Sequence, residues 1–287
     1  MKRELDGTGY QLYAIGLGAM PLSIAGRPEK KNAMEVIRAF VENGGNFIDT
    51  ANVYCLDDGE LGHNERLIHS TLTPLGVRNE VLVATKGGLR RPRGEWVVDA
   101  HPEWLRTSCE QSLQDLHCEI IDLYYLHAPD PNIPFEESLG MLIRLKEEGK
   151  IRHLGLSNID SRQLELALSQ VPIAAVQNRC HPFHKQDFQS GLVDLCQNRG
   201  ISYIPYSPVG GRRHHERLAT QPLFQALSEK YQASPYQITL AWLLQKGEHV
   251  LPIPGASKIA SVQSSMGAVK VQLETEDREA IDQLADD

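Results

Sequence analysis

Eight short apolar segments, each followed by a stretch of helical periodicity, limit this chain more than any other feature of it. The segments are Tyr13 to Gly18, Phe47-Ile48, Val81 to Ala84, Ile121 to Leu126, Ile151 to Leu156, Ala174 to Val176, Ile201 to Pro205 and Val250 to Ile253. Between and after them the spacing predicts helices over Lys31 to Val41, Leu61 to Leu72, Pro102 to His117, Phe135 to Glu147, Asp160 to Ser169 and Lys185 to Asn198. Further helices are expected over Leu223 to Glu229, Pro235 to Lys246, Ile259 to Ala268 and Glu274 to Leu284, after a longer connection from Ser207 to Thr220. A hairpin is expected around Thr8-Gly9-Tyr10, and Arg90 to Arg93 and Pro131 to Pro134 read as loops. This alternation fits an α/β fold of the closed (β/α)8 TIM barrel type. The competing open, doubly wound sheet needs a third glycine after Gly16-x-Gly18 at the phosphate-binding spacing, and the chain lacks it. At 287 residues a single barrel domain over 1–287 is the natural size, and no linker or repeat argues for a second domain.

In such a barrel the residues just past the strands make the site, which singles out Asp49, Lys86, His127, Asn158 and Gln177 on successive strands. Tyr54 follows Asp49 in the next loop. Lys86 near Asp49 would form an ion pair, and near a phenol it would favour phenolate, lowering a Tyr54 pKa otherwise near 10. His127 would face a carbonyl oxygen from the other side. Taken singly, a rim salt bridge for Lys86 or a satisfied core histidine for His127 explains each residue equally well. Other classes fare worse. Asp plus Glu outnumber Lys plus Arg 37 to 29, a net charge of -8, which gives no support to a nucleic-acid partner. No apolar run reaches the roughly 20 residues of a membrane span, and Lys2-Arg3 has no apolar stretch behind it, so neither membrane nor secretion is expected. The five scattered cysteines read as free thiols in a reducing, cytoplasmic setting, and no metal site is expected among the histidines.

These positions, with Asp49-Thr50-Ala51, Asn64-Glu65, Thr85-Lys86, Leu123 to His127, Gly155 to Asn158, Val176 to Asn178 and Ile253-Pro254-Gly255, resemble the aldo-keto reductases along essentially the whole chain. The resemblance implies a catalytic tetrad of Asp49, Tyr54, Lys86 and His127. It implies that Ser157, Asn158 and Gln177 hold the nicotinamide carboxamide, that Tyr206 stacks on the ring, and that Ser207 joins the pyrophosphate contacts. The reaction would be reversible NAD(P)H-dependent reduction of an aldehyde or ketone, with Tyr54 giving the proton. Gly255, Ser257 and Lys258 would read an adenosine 2′-phosphate, favouring NADP. NAD stays possible, because Ser261, Ser264 and Ser265 stand where the family pattern has an adenine-stacking arginine and a Glu-Asn pair. Arg212 and Arg213 could clamp the pyrophosphate.

An apolar substrate wall of Met20, Cys55, Leu56, Leu89, Trp96 and Ala128 is expected for a small-molecule carbonyl substrate, and it suits small aldehydes, quinones, sugars or a pyridoxal-like ring alike. The chain is expected to act as a monomer. An oxidative alcohol or sugar dehydrogenase, or a redox-sensing subunit resembling the cytoplasmic subunits of potassium channels, are the alternative roles.

Overall fold

The computed structural model describes residues 1–286, apart from the side chains of Arg212 and Arg213. An N-terminal hairpin of β1 (Lys2–Leu5) and β2 (Tyr10–Tyr13) precedes the barrel, and Tyr13 belongs to it, so the first barrel strand, β3 (Leu17–Gly18), is shorter than the apolar run suggests. The alternation then proceeds through α1 (Lys30–Glu42), β4 (Phe47–Asp49), α2 (His63–Leu75) and β5 (Leu82–Gly87). Next comes a small antiparallel hairpin, β6 (Leu89–Arg90) with β7 (Val97–Val98), where a plain loop was expected. After α3 (Pro102–Asp115) come β8 (Ile121–Leu126), α4 (Phe135–Glu147), β9 (Ile151–Ser157), α5 (Ser161–Leu168) and β10 (Ala175–Gln177).

The helix expected over 185–198 is two, α6 (Gln186–Gln189) and α7 (Leu192–Asn198), broken where Gly191 takes φ 77°. Following β11 (Ser202–Tyr203), the segment expected as a connection folds into α8 (Gly211–Thr220), a polar helix whose apolar side chains are only Leu218 and Ala219. The chain ends through α9 (Pro222–Tyr231), α10 (Pro235–Leu244), α11 (Ile259–Gly267) and α12 (Thr275–Asp282).

β3, β4, β5, β8, β9, β10 and β11 form one parallel sheet in chain order. Residues 250–255 close it into a barrel, with bridges from Val250 to Tyr203, Ile253 to Tyr206 and Gly255 to Gly18. The closing strand is irregular for a reason in its sequence. Leu251 and Ile253 donate their N–H groups to the carbonyls of Tyr203 and Pro205, while Pro252 and Pro254, which have no N–H, offer only carbonyls to Gly16 and Gly18.

The barrel interior is filled by Phe47, Leu82, Leu123, Tyr125, Ile204, Leu251 and Ile253, with Leu5 and Leu12 of the hairpin joining the same cluster. Close approach inside it requires glycine. A Cβ on Gly16 would stand 2.6 Å from the Phe47 ring, and one on Gly155 2.4 Å from Tyr125. A second, larger cluster lies between the strands and the helices, and each fully buried Leu or Phe in either layer contributes roughly 1.5–3 kcal/mol.

Candidate active site

The floor of the barrel mouth is built around an ion pair out of reach of water. Asp49 ends β4 and Lys86 sits near the end of the neighbouring β5, both essentially buried, with Lys86 Nζ 2.6 Å from Asp49 Oδ1. That burial rules out a rim salt bridge for Lys86. Its ammonium has three hydrogens and three acceptors, since Thr50 O lies at 2.8 Å and the Tyr54 hydroxyl oxygen at 3.0 Å. The other carboxylate oxygen of Asp49 accepts from Gln177 Nε2 at 2.7 Å, so β4, β5 and β10 are tied across the barrel. Burial raises the Asp49 carboxyl and lowers the Lys86 amine, while their mutual attraction opposes both shifts.

Because the Tyr54 oxygen accepts from Lys86, its own hydrogen is directed elsewhere. The ring meets His127 edge-on at 5.9 Å and Trp96 at 6.2 Å. Burial, followed by the charge of Asp49, holds the Tyr54 phenol well above its usual 10. The expected lowering by Lys86 is therefore wrong for the protein as it stands: the cation is already matched by a carboxylate, and desolvation of the phenolate decides the sign. Burial and the Lys86 charge hold His127 far below the usual histidine value, so the ring is neutral. Its Nδ1 is enclosed without a partner among the described residues, which leaves Nε2 as the nitrogen able to meet a ligand.

Several buried polar residues fix these loops. Asn64 on α2 accepts from the Thr50 hydroxyl at 2.5 Å and donates to Ala19 O and Ser23 Oγ, which joins the loops carrying Tyr54 and Met20. Asn178 clamps Ile159 through both its N–H and its carbonyl. That clamp supports Asn158 in the left-handed region at φ 58°, where its amide donates to His127 O and accepts from the Tyr206 hydroxyl at 2.8 Å. Ser157 and Gln177 are buried beside it, and a cleft of about 840 Å³ opens next to Asn158 and Tyr206. Asn64 and its neighbour Glu65 stood out in the sequence without a role; the signal was two polar residues on the apolar face of a helix.

Ala51, Val53, Tyr54 and Leu89 form an apolar cluster with Met20, Val98 and Ala128, so three of the expected wall residues come together. Trp96 and Leu56 are exposed at 47% and 38%, which places them at the rim. Cys55 is excluded: it is completely buried, its thiol turns back to Val53 O at 3.3 Å, and burial pushes it up to about 11. Beside it Arg91 is buried beneath the Trp96 ring at 3.8 Å and bonded to the carbonyls of Cys55 and Leu56, which fixes this loop.

At the far end, Ser207 (φ 49°), Gly210 (φ 83°) and Gly211 (φ 57°) form a left-handed turn into α8. Ser257 and Lys258 are exposed at the start of α11, with Gly255 just ahead. Arg212 and Arg213, considered for the pyrophosphate, have side chains outside the described residues. Among the described residues no group of histidine, cysteine or acidic side chains is placed to hold a metal, and no helix is long and apolar enough to cross a membrane.

A parallel barrel whose strand ends gather a buried lysine, a carboxylate, a phenol and a neutral imidazole has the form of an acid–base enzyme. Residues 14–286 match the model of the Aldo/keto reductase family, and the chain belongs to that family. It is 34% identical over 303 residues to "Probable aldo-keto reductase 1" of Glycine max, covering 96% of this chain and 86% of that protein. A thermostable aldo-keto reductase solved with the inhibitor epalrestat superposes with a TM-score of 0.83 at 30% identity, covering 98% of each chain. The glycerol dehydrogenase of Gluconobacter oxydans gives a TM-score of 0.85 at 26% identity, covering 98% of this chain and 94% of its own. The protein is an NAD(P)H-dependent carbonyl oxidoreductase of the (β/α)8 barrel fold.

Proposed function

We propose that this protein reduces small aldehydes or ketones with NADPH in preference to NADH, acting in the cytoplasm as a monomeric single-domain barrel, and that Tyr54 delivers the proton. One observation carries the assignment. The three hydrogens of the Lys86 ammonium are taken by Asp49, Thr50 and the Tyr54 oxygen, so the phenol hydrogen has to leave on the side facing His127 and the apolar wall. A carbonyl oxygen bound there accepts from Tyr54 and from neutral His127 together. Lys86 steadies the oxygen that is left negative, and Asp49 with Gln177 holds Lys86 in place.

The residues present fit a dinucleotide. Ser157, Asn158 and Gln177 offer the hydroxyl and amide groups that a carboxamide needs, and the Tyr206 ring is held by its bond to Asn158. The glycine turn from Ser207 into α8 brings backbone N–H groups to an anion. Ser257 and Lys258 supply a hydroxyl and a cation where plain ribose would need neither. When bound, the reduced nicotinamide supplies the hydride. Of the expected wall residues, Met20, Leu89 and Ala128 line the carbonyl site, with Leu56 and Trp96 at its rim.

The test is a steady-state assay of the purified protein with NADPH and with NADH against a panel of aryl, aliphatic and sugar aldehydes. Turnover with NADPH on at least one of these substrate types is expected. Absence of turnover with every member would remove the reading, and a preference for NADH would remove only its cofactor half.

A further inference from the structure

Thr85 and Lys86 are consecutive on β5, so their side chains leave on opposite faces, Lys86 into the barrel and Thr85 toward the helices. Behind Thr85 lies Glu65 of α2, which is fully buried. Its Oε1 accepts from the Thr85 hydroxyl at 2.6 Å, while Oε2 is enclosed with no hydrogen-bond partner among the described residues. The adjacent cation does not serve it, because Arg66 is paired with Asp115 of α3 at 2.8 Å.

The charged and titratable groups around the carboxyl are Arg66 on its own helix, Asp115 and Cys109 on α3, Cys118 just after α3, Tyr124 on β8 and Lys86 on β5, with the Ser112 hydroxyl also facing it. Most of these are neutral or already paired. Burial pushes the carboxyl up to about 7, with Asp115 adding to the rise and the Thr85 bond opposing it. In return, an ionised Glu65 raises the Lys86 amine.

We propose that Glu65 is a positioning residue for carbonyl reduction, acting by offsetting the Lys86 charge felt at the Tyr54 oxygen: protonated it leaves Tyr54 the stronger acid, and once ionised it slows the reaction. This rests on the reading of Tyr54 as the proton donor. The sign follows from charge. As the phenol proton moves to the carbonyl oxygen, negative charge grows on the Tyr54 oxygen, and a second negative charge behind β5 opposes it. The proton that Glu65 releases goes to solvent, and the one consumed by the reaction comes from Tyr54, so Glu65 meets neither substrate nor cofactor.

The experiment is the single-turnover rate of aldehyde reduction by NADPH between about pH 5.5 and about pH 9, which keeps product release from masking the step. Wild type is expected to slow about three- to tenfold, with a midpoint near the Glu65 titration at about 7. Glu65→Gln, neutral throughout, should keep the faster rate with no step. Thr85→Val retains the carboxyl but removes a bond that favours its ionised form, so its step should move to higher pH.

An unaltered step in Glu65→Gln overturns the proposal, and so does an unmoved midpoint in Thr85→Val should the first variant not fold. A flat wild-type profile alongside an inactive Tyr54→Phe would defeat the role of Glu65 alone. Full activity in Tyr54→Phe would instead remove the reading beneath it.

Discussion

The two ends of the proposed cofactor site are built on opposite principles. At the nicotinamide end, Asp49, Lys86 and Gln177 are at most 2% exposed and interlock across three strands. At the adenosine end, Ser257 and Lys258 stand exposed at the start of α11, and neither side chain bonds another described residue. Chemistry at the first end is inseparable from the fold, because its groups satisfy one another. The discrimination proposed for the second would rest on side chains that the fold does not need, so it could change without disturbing the barrel.

The sharpest way to break that contrast is Lys86→Met. Removing one partner of a buried pair leaves Asp49 with only Gln177, which should cost about 3–5 kcal/mol of stability as well as turnover. Because the stranded carboxylate escapes the penalty by taking up a proton, the loss should shrink as pH falls. Urea unfolding at acid and at mildly alkaline pH would show this, and a loss under about 1 kcal/mol at both would mean the pair is dispensable.

Glu65 extends the buried end outward, and its effect on stability has a definite sign. Its folded-state value of about 7 lies above the ordinary 4.5, so the folded protein keeps a proton that the unfolded chain has lost. The stabilisation is complete below 4.5 and disappears as pH rises through 7, a change of about 3 kcal/mol that Glu65→Gln should not show. Thermal unfolding of both proteins across that range measures it. Parallel curves would place the carboxyl in contact with solvent.

Tyr54→Phe probes chemistry without touching the ion pair. Turnover should fall by about 10²-fold or more while NADPH affinity holds, since the lost hydroxyl is the proposed acid and not a cofactor contact. A variant that reduces aldehydes at the wild-type rate would end the assignment.

The same contrast explains what was legible in the sequence. Strand ends in a barrel are marked by apolar runs that stop at a polar residue, so Asp49, Lys86, His127, Asn158 and Gln177 announce their position, and the structure gathers them at one mouth. Tertiary burial carries no such mark. The phenol of Tyr54 rises and does not fall because desolvation outweighs a cation that Asp49 already matches, and Cys55 turns inward from the wall for want of any local signal. Arg91 is hidden beneath Trp96 in a stretch whose other arginines, Arg90 and Arg93, are half-buried and exposed, so composition could not separate them. α8 escaped because its burial is slight and its residues are mostly charged or polar.

The smallest expected effect lies at the exposed end and sharpens the comparison most cleanly. Lys258 can contribute to 2′-phosphate binding only through a charge-assisted contact, on the order of 1.5–3 kcal/mol when well formed and less when it remains solvated. Since the side chain bonds nothing else described, Lys258→Ala should leave stability within about 0.5 kcal/mol of wild type. NADPH binding should weaken by roughly tenfold, about 1.4 kcal/mol, and the loss should diminish at high salt as the exposed charge is screened. NADH, with no 2′-phosphate, should bind both proteins alike. Fluorescence titration of the two reduced cofactors at low and high ionic strength separates the outcomes. Equal weakening of both would show that Lys258 supports the turn after Gly255 without reading the phosphate. Tighter NADH than NADPH binding by the wild type would reverse the cofactor preference and leave the acid–base site at the buried end untouched.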